Sequence, residues 1–80
     1  MRAHRVVMAL VGLSPLQWLL RQRVRRAQQL LETTGHPVAA IATLCGFGTP
    51  ASLRAHFTRI VGTAPAAYRR AFATAPAAVH

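Results

Sequence analysis

Arg54 and Arg59 lie five positions apart in the segment Pro50 to Val61, with the small side chains of Ala55 and Thr58 between them and Ala51 and Ser52 before them. Taking Leu53 as the inward direction at about 100° per residue, Ala51, Ala55 and Thr58 point outward, Arg54 lies on one flank and Arg59 on the other. Such a face suits DNA. An arginine fork can bond both acceptors of a guanine edge, which is the role expected of Arg54, and alanine methyls at 51 and 55 can touch thymine methyls. Arg59, farther along, is better placed for phosphate. Thr49 and Ser52 begin the segment, where hydroxyls and free backbone N–H groups suit a phosphate oxygen; Thr49 is equally well read as a helix cap. His56 falls nearer the inward side, as a packing residue or a hydrogen-bonder at the boundary. On an ordinary helix two arginines would simply be a solvated face, so the surroundings have to decide.

Other chemistries find little material. Glu32 is the only acidic residue, which leaves no carboxylate pair and no visible base for a nucleophile, so no catalytic residue is expected. His4, His36, His56 and His80 are far apart and lack cysteine or carboxylate companions at ligand spacing, so neither a metal nor another cofactor is expected. Cys45, the single cysteine, excludes an intramolecular disulfide and fits a reducing cytoplasm; it reads as a small buried apolar residue. What remains is charge. Ten arginines, no lysine and one glutamate give a formal net charge of +9, which calls for a polyanion without distinguishing DNA, RNA or an anionic membrane.

The elements that must position these residues can be read from punctuation and period. Eighty residues make one small domain, and alanine-rich composition without period-two runs predicts an all-α fold. Residues 2 to 11 suit a short helix ended by Gly12. Ser14-Pro15 is a start signal, since serine caps and proline tolerates the first helical position, and a long helix should follow to about Thr34-Gly35. Its apolar stripe is Leu16, Leu20, Val24, Ala27 and Leu31, with Arg21, Arg25, Gln29 and Glu32 on other faces. Trp18 lies roughly 160° from Leu20, so the start of this helix wants burial on two sides.

A second helix is expected from Pro37 through Val38, Ile41, Ala42, Leu44 and Cys45, closed by Gly46-Phe47-Gly48. Thr49-Pro50 repeats the cap-then-proline signal, and Leu53, Phe57 and Ile60 form the buried stripe of the next helix before Gly62. Ala64-Pro65 opens a last short helix with Tyr68 and Phe72 on one face; residues 74 to 80 read as a frayed, disordered tail. Residues 37 to 62 thus supply a holding helix, a glycine turn and a second helix with a free outer face, the requirements of a helix-turn-helix.

These residues resemble a known family. Gly-Leu-Ser-Pro-Leu-Gln-Trp-Leu from Gly12, then Arg23-Val24, Ala27 and Leu30-Leu31, look like the linker helix of AraC/XylS-type transcription regulators. Ile41-Ala42, Cys45-Gly46-Phe47-Gly48, Leu53-Arg54, His56-Phe57, Gly62, Pro65 and Tyr68-Arg69 resemble that family's second helix-turn-helix and closing helix. The resemblance covers Gly12 to about Phe72. It implies a homeodomain-like helix-turn-helix bundle with a long linker helix (14–35), a second helix-turn-helix (37–62) and a closing helix (64–73). It also implies a bacterial or archaeal activator or repressor that binds double-stranded promoter DNA in the cytoplasm, with RNA polymerase or a full-length regulator as further partners. Two departures stand out. Only residues 1 to 13 stand where the family has its first helix-turn-helix, which makes them at most a remnant of it and the chain a truncated regulator. Ala55 replaces a position where similar sequences often carry a longer polar or basic residue, which throws base specificity onto Arg54. In the full family domain the linker helix contacts both subdomains, and this accounts for Trp18.

Three other readings compete. The apolar front end, Trp18 with Val6 to Leu13, would suit a non-reading interaction fragment that forms a dimer with itself or joins a full-length regulator. Arginines and leucines on the 14–34 helix would suit a membrane-surface peptide, but the ordered caps and turns after Gly35 favour a folded domain. No apolar run approaches the roughly 18 residues that would span a bilayer. Export is disfavoured because no small-x-small cleavage site follows Leu13. A membrane partner is therefore not expected.

Overall fold

The computed structural model describes residues 12–74 of the chain. Four helices follow one another: α1 (Pro15–Thr33), α2 (Val38–Leu44), α3 (Pro50–Val61) and α4 (Pro65–Thr74), with no strand among the described residues. The all-α expectation holds. The short helix expected over residues 2 to 11 lies outside the described residues, as does the tail beyond Thr74, itself the last residue of α4.

Both serine/threonine-proline signals act as expected. The Ser14 hydroxyl accepts a hydrogen bond from Gln17 N–H (3.1 Å), and the Gln17 side chain accepts from Ser14 N–H (2.8 Å), a reciprocal capping box. At α3 the Thr49 hydroxyl accepts from Ser52 N–H (3.1 Å), with Pro50 in the first helical position. Each cap stabilises its helix by about 1 kcal/mol. Gly62 ends α3 in the left-handed region at φ 95°, its N–H donating to Thr58 O; any side chain there would be strained. The end of α1 is built differently. Thr34 is extended, and both its N–H (3.0 Å) and its hydroxyl (2.6 Å) donate to Leu30 O.

The long helix α1 is the spine on which the other three pack. The core comprises Val24, Ala27, Leu30 and Leu31 from α1, Ile41 and Ala42 from α2, Cys45 and Phe47 from the turn, and Leu53 and Phe57 from α3. Leu20, Val38, Ile60, Val61 and Tyr68 close over it. The Tyr68 and Phe57 rings meet edge to face at a centroid distance of 5.5 Å and an interplanar angle of 73°, which locks α4 onto α3.

Three apolar residues that helical spacing puts on an apolar face are exposed. Leu16, placed at the head of the α1 stripe, is 62% exposed, whereas Leu20, one turn on, is the first residue of that stripe to pack against the core. Leu44 is 61% exposed. In a seven-residue helix the inward face is already filled by Ile41, Ala42 and the following Cys45, and Leu44 is rotated off it by about 100° from Cys45. Phe72 is 49% exposed although it shares a face with Tyr68, since it lies one turn beyond the ring contact with Phe57. Leu30 joins the core in their place, next to Leu31 on a stripe broader than one residue per turn.

Candidate nucleic-acid interface

The opposite faces of α3 have opposite characters. Leu53 and Phe57 are fully buried, whereas Ala51, Arg54, Ala55, Thr58 and Arg59 are exposed and Ser52 is half-buried at the rim. All seven residues singled out from the sequence therefore lie on the solvent side or the N-terminal edge of one helix. Two buried side chains one turn apart set its roll, so the exposed set is determined by where Leu53 and Phe57 go.

The N-terminal edge is partly committed to the fold. Thr49 is both exposed and the cap: its oxygen holds Ser52 N–H, and its carbonyl receives Leu53 N–H at 3.2 Å. The backbone N–H of Ser52 is therefore used internally, and a phosphate at this edge would meet the hydroxyls and the N–H of Ala51. Thr49 still has its own O–H to donate, because the cap uses only its lone pair.

His56 is half-buried, as a boundary residue should be. Its ring stacks on Phe47 in the α2–α3 turn, with centroids 5.9 Å apart and planes at 27°. Its Nδ1 accepts a hydrogen bond from Arg59 Nη2 at 3.0 Å. Arg59, on one flank of the exposed face, is tethered through His56 to the turn.

Several charged residues find roles that spacing alone does not reveal. Arg23 of α1 lies against the turn so closely that a Cβ added to Gly46 would stand 3.2 Å from its Nε; at φ 81° that position already favours glycine. Arg26, one turn farther along α1, places its charge near Cys45. Burial pushes the Cys45 thiol up from its ordinary range, with Arg26 opposing. The thiol therefore stays protonated and behaves as core. The arginines of α1 thus bring positive charge to the turn from behind.

Glu32 and Arg69 bind α1 to α4. The Tyr68 hydroxyl donates to Glu32 Oε2. That bond, then burial and the Glu32 charge, hold the Tyr68 hydroxyl above its ordinary range, against a bond with Gln28. Arg69 donates from Nε to Leu31 O (3.3 Å) and from Nη2 to Thr34 O (3.1 Å). The last turn of α1 contains no basic residue of its own, so Arg69 supplies the cation that the negative end of that helix favours. The pairing of Tyr68 with Arg69 was visible in the sequence, but its targets, more than thirty residues earlier, were not.

Among the described residues there is no group of three His, Cys, Asp or Glu side chains that could hold a metal ion. No helix among them is long and apolar enough to cross a membrane.

Comparison with known proteins agrees with this geometry. A family described as "Helix-turn-helix domain" matches residues 1–71. The chain is 46% identical over 63 residues to the HTH-type transcriptional regulator Rv1931c of Mycobacterium tuberculosis, covering 79% of this chain and 24% of that protein. It is 37% identical over 62 residues to a putative AraC-like transcription regulator of Streptomyces antibioticus, covering 78% of this chain and 20% of that protein. The chain thus spans about a quarter or less of the length of these relatives. Among solved structures, the DNA-binding domain of AdpA, a global transcriptional factor crystallised with a target DNA, superposes with a TM-score of 0.81 at 50% identity. That match covers 91% of this chain and 67% of the other. The buried face of α3, the glycine turn before it and the α1 spine behind it are therefore a shared architecture, and the chain belongs to the helix-turn-helix domains of the AraC/XylS type.

Proposed function

We propose that this chain binds double-stranded DNA with α3 in the major groove and serves transcription regulation. The observation that carries the reading is the outer face of α3: Ala51, Arg54, Ala55, Thr58 and Arg59 are all exposed on a helix whose other side is anchored by two fully buried residues. In a chain of net charge +9 whose one carboxylate is bonded to Tyr68, no acidic side chain opposes a phosphate on that face. The likeness to a domain solved on its target DNA supports the same docking.

In this reading residues 14–35 are the linker helix, 37–62 the reading unit and 64–73 the closing helix. Arg54 reads base edges, Ala51 and Ala55 admit close approach and meet thymine methyls, and Thr49, Ser52, Thr58 and Arg59 contact the backbone or groove edge. The chain works in the cytoplasm, where promoter DNA is, and no catalytic step belongs to it. The test is duplex binding by fluorescence anisotropy across salt concentrations, with a duplex selected by the chain from a randomised pool. With about four to six phosphates neutralised, log affinity against log salt should slope at about −4 to −5. Arg54→Ala should lose discrimination between the selected duplex and a scrambled one, by about 1–3 kcal/mol, as well as affinity. A flat salt response would exclude the reading.

A further inference from the structure

We infer that His56 is a positioning residue for Arg59: it does not itself touch DNA but holds the Arg59 guanidinium in a fixed direction on the reading face. The inference rests on the DNA-binding reading above and extends it to a residue outside the exposed face.

Three contacts form a relay from the fold to the surface. Phe47 is buried in the turn between α2 and α3 and belongs to the core. The half-buried His56 ring stacks on it. The Nδ1 lone pair of that ring then receives Arg59 Nη2, one turn along the exposed face. A free arginine on a helix surface samples many rotamers and loses that freedom when it binds. Here one of its five N–H donors is already engaged with a neutral acceptor, and the charge and the remaining donors stay available to a phosphate. A carboxylate in place of His56 would orient Arg59 as well but would cancel its charge. Imidazole orients it without doing so, and the stack on Phe47 fixes the ring's own direction. The i, i+3 spacing puts both residues on neighbouring turns of α3.

The test separates orientation from packing through four variants of the full chain. His56→Phe keeps a flat ring against Phe47 and removes the acceptor, and His56→Gln offers a carbonyl acceptor without the ring. Arg59→Ala removes the guided group, and His56→Phe/Arg59→Ala closes the cycle. Binding to the duplex selected by the wild-type chain is measured by anisotropy across salt, with folding checked by thermal melts.

Arg59→Ala should weaken binding and make the salt slope shallower by about one. His56→Phe should weaken it about two- to tenfold, the range expected from immobilising one flexible side chain, with the slope unchanged because Arg59 still reaches phosphate. Its effect should vanish in the Arg59→Ala background, and His56→Gln should recover most of the wild-type affinity. If His56→Phe weakens binding equally with and without Arg59, or leaves it unaltered while Arg59→Ala weakens it, the positioning role is overturned and the DNA-binding reading stands. If the wild-type chain itself shows no salt-sensitive duplex binding, the functional reading fails, and this inference with it.

Discussion

At the scale of single residues, scarcity makes assignments sharp. Tyr68 is the only tyrosine, and its hydroxyl donates to the only glutamate. Because its folded-state pKa is raised, the protonated form is favoured by folding. That stability is fully present below the unfolded value, about pH 10, and is lost as pH rises through the higher folded value. Chemical denaturation in steps above about pH 9 should therefore show stability falling. Cys45 titrates in the same direction, so Tyr68→Phe is the comparison that isolates the phenol: it should flatten the high-pH part of the loss. In the native protein the phenolate absorbance should emerge above the value seen in denaturant. A folded-state midpoint at or below the denatured one would contradict the bond to Glu32. Arg54 belongs to this scale too. It is exposed, and the capped helix beneath it supplies its direction.

At the scale of elements, the docking of α4 onto α1 and α3 depends on polar contacts as well as apolar ones. Phe57 and Tyr68 meet edge to face, and Arg69 completes the C-terminal end of α1 through the carbonyls of Leu31 and Thr34. Charge-assisted bonds of this kind contribute more than neutral ones, but Arg69 is half-exposed and solvent screens it. Arg69→Ala is expected to destabilise the domain by about 1–2 kcal/mol in urea unfolding. Arg69→Lys should restore little of this, because a single ammonium on a flexible stem does not reproduce a planar fork reaching two carbonyls. Equal midpoints for wild type and Arg69→Ala would mean that the Arg69 bonds add nothing to the docking of α4. Truncation of Phe57, fully buried between α3 and α4, belongs to a harsher class. Phe57→Ala should cost about 3–5 kcal/mol, a large part of the stability of so small a domain.

At the scale of the whole molecule, a net charge of +9 in 80 residues sets folding and binding against each other. Self-repulsion among the arginines opposes the compact state, and salt screens it. The same salt weakens attraction to a duplex by restoring counterions to the DNA. The chain should therefore melt at a higher temperature as sodium chloride is raised from low to moderate concentration, while its duplex affinity falls steeply. A gain of about 1 kcal/mol would raise the melting point of a domain this size by ~4–8 °C. Differential scanning fluorimetry and anisotropy on one sample series would show the opposed trends; melting that falls with salt would mean that ion pairs, not repulsion, dominate the folded state.

The positions of helices, caps and turns were legible in the amino-acid order because they rest on neighbours. Ser14-Pro15 and Thr49-Pro50 begin helices through bonds that span three residues, and Gly62 ends one through its own backbone freedom. The exposed face of α3 was legible for the same reason, since Leu53 and Phe57 lie one turn apart and both are buried. What period alone misjudged were the ends of stripes. Leu16, Leu44 and Phe72 have the right spacing and the wrong exposure, because burial depends on whether another element reaches that turn. The long-range contacts were out of reach as well. Arg69 at the end of α1, Tyr68 on Glu32 and Arg23 against Gly46 join residues far apart in sequence, and nothing local distinguishes a capping arginine from a solvated one. Local bonding makes α3 and shows which side it exposes. Only packing around α1 places His56 between Phe47 and Arg59 and turns an exposed arginine into a directed one.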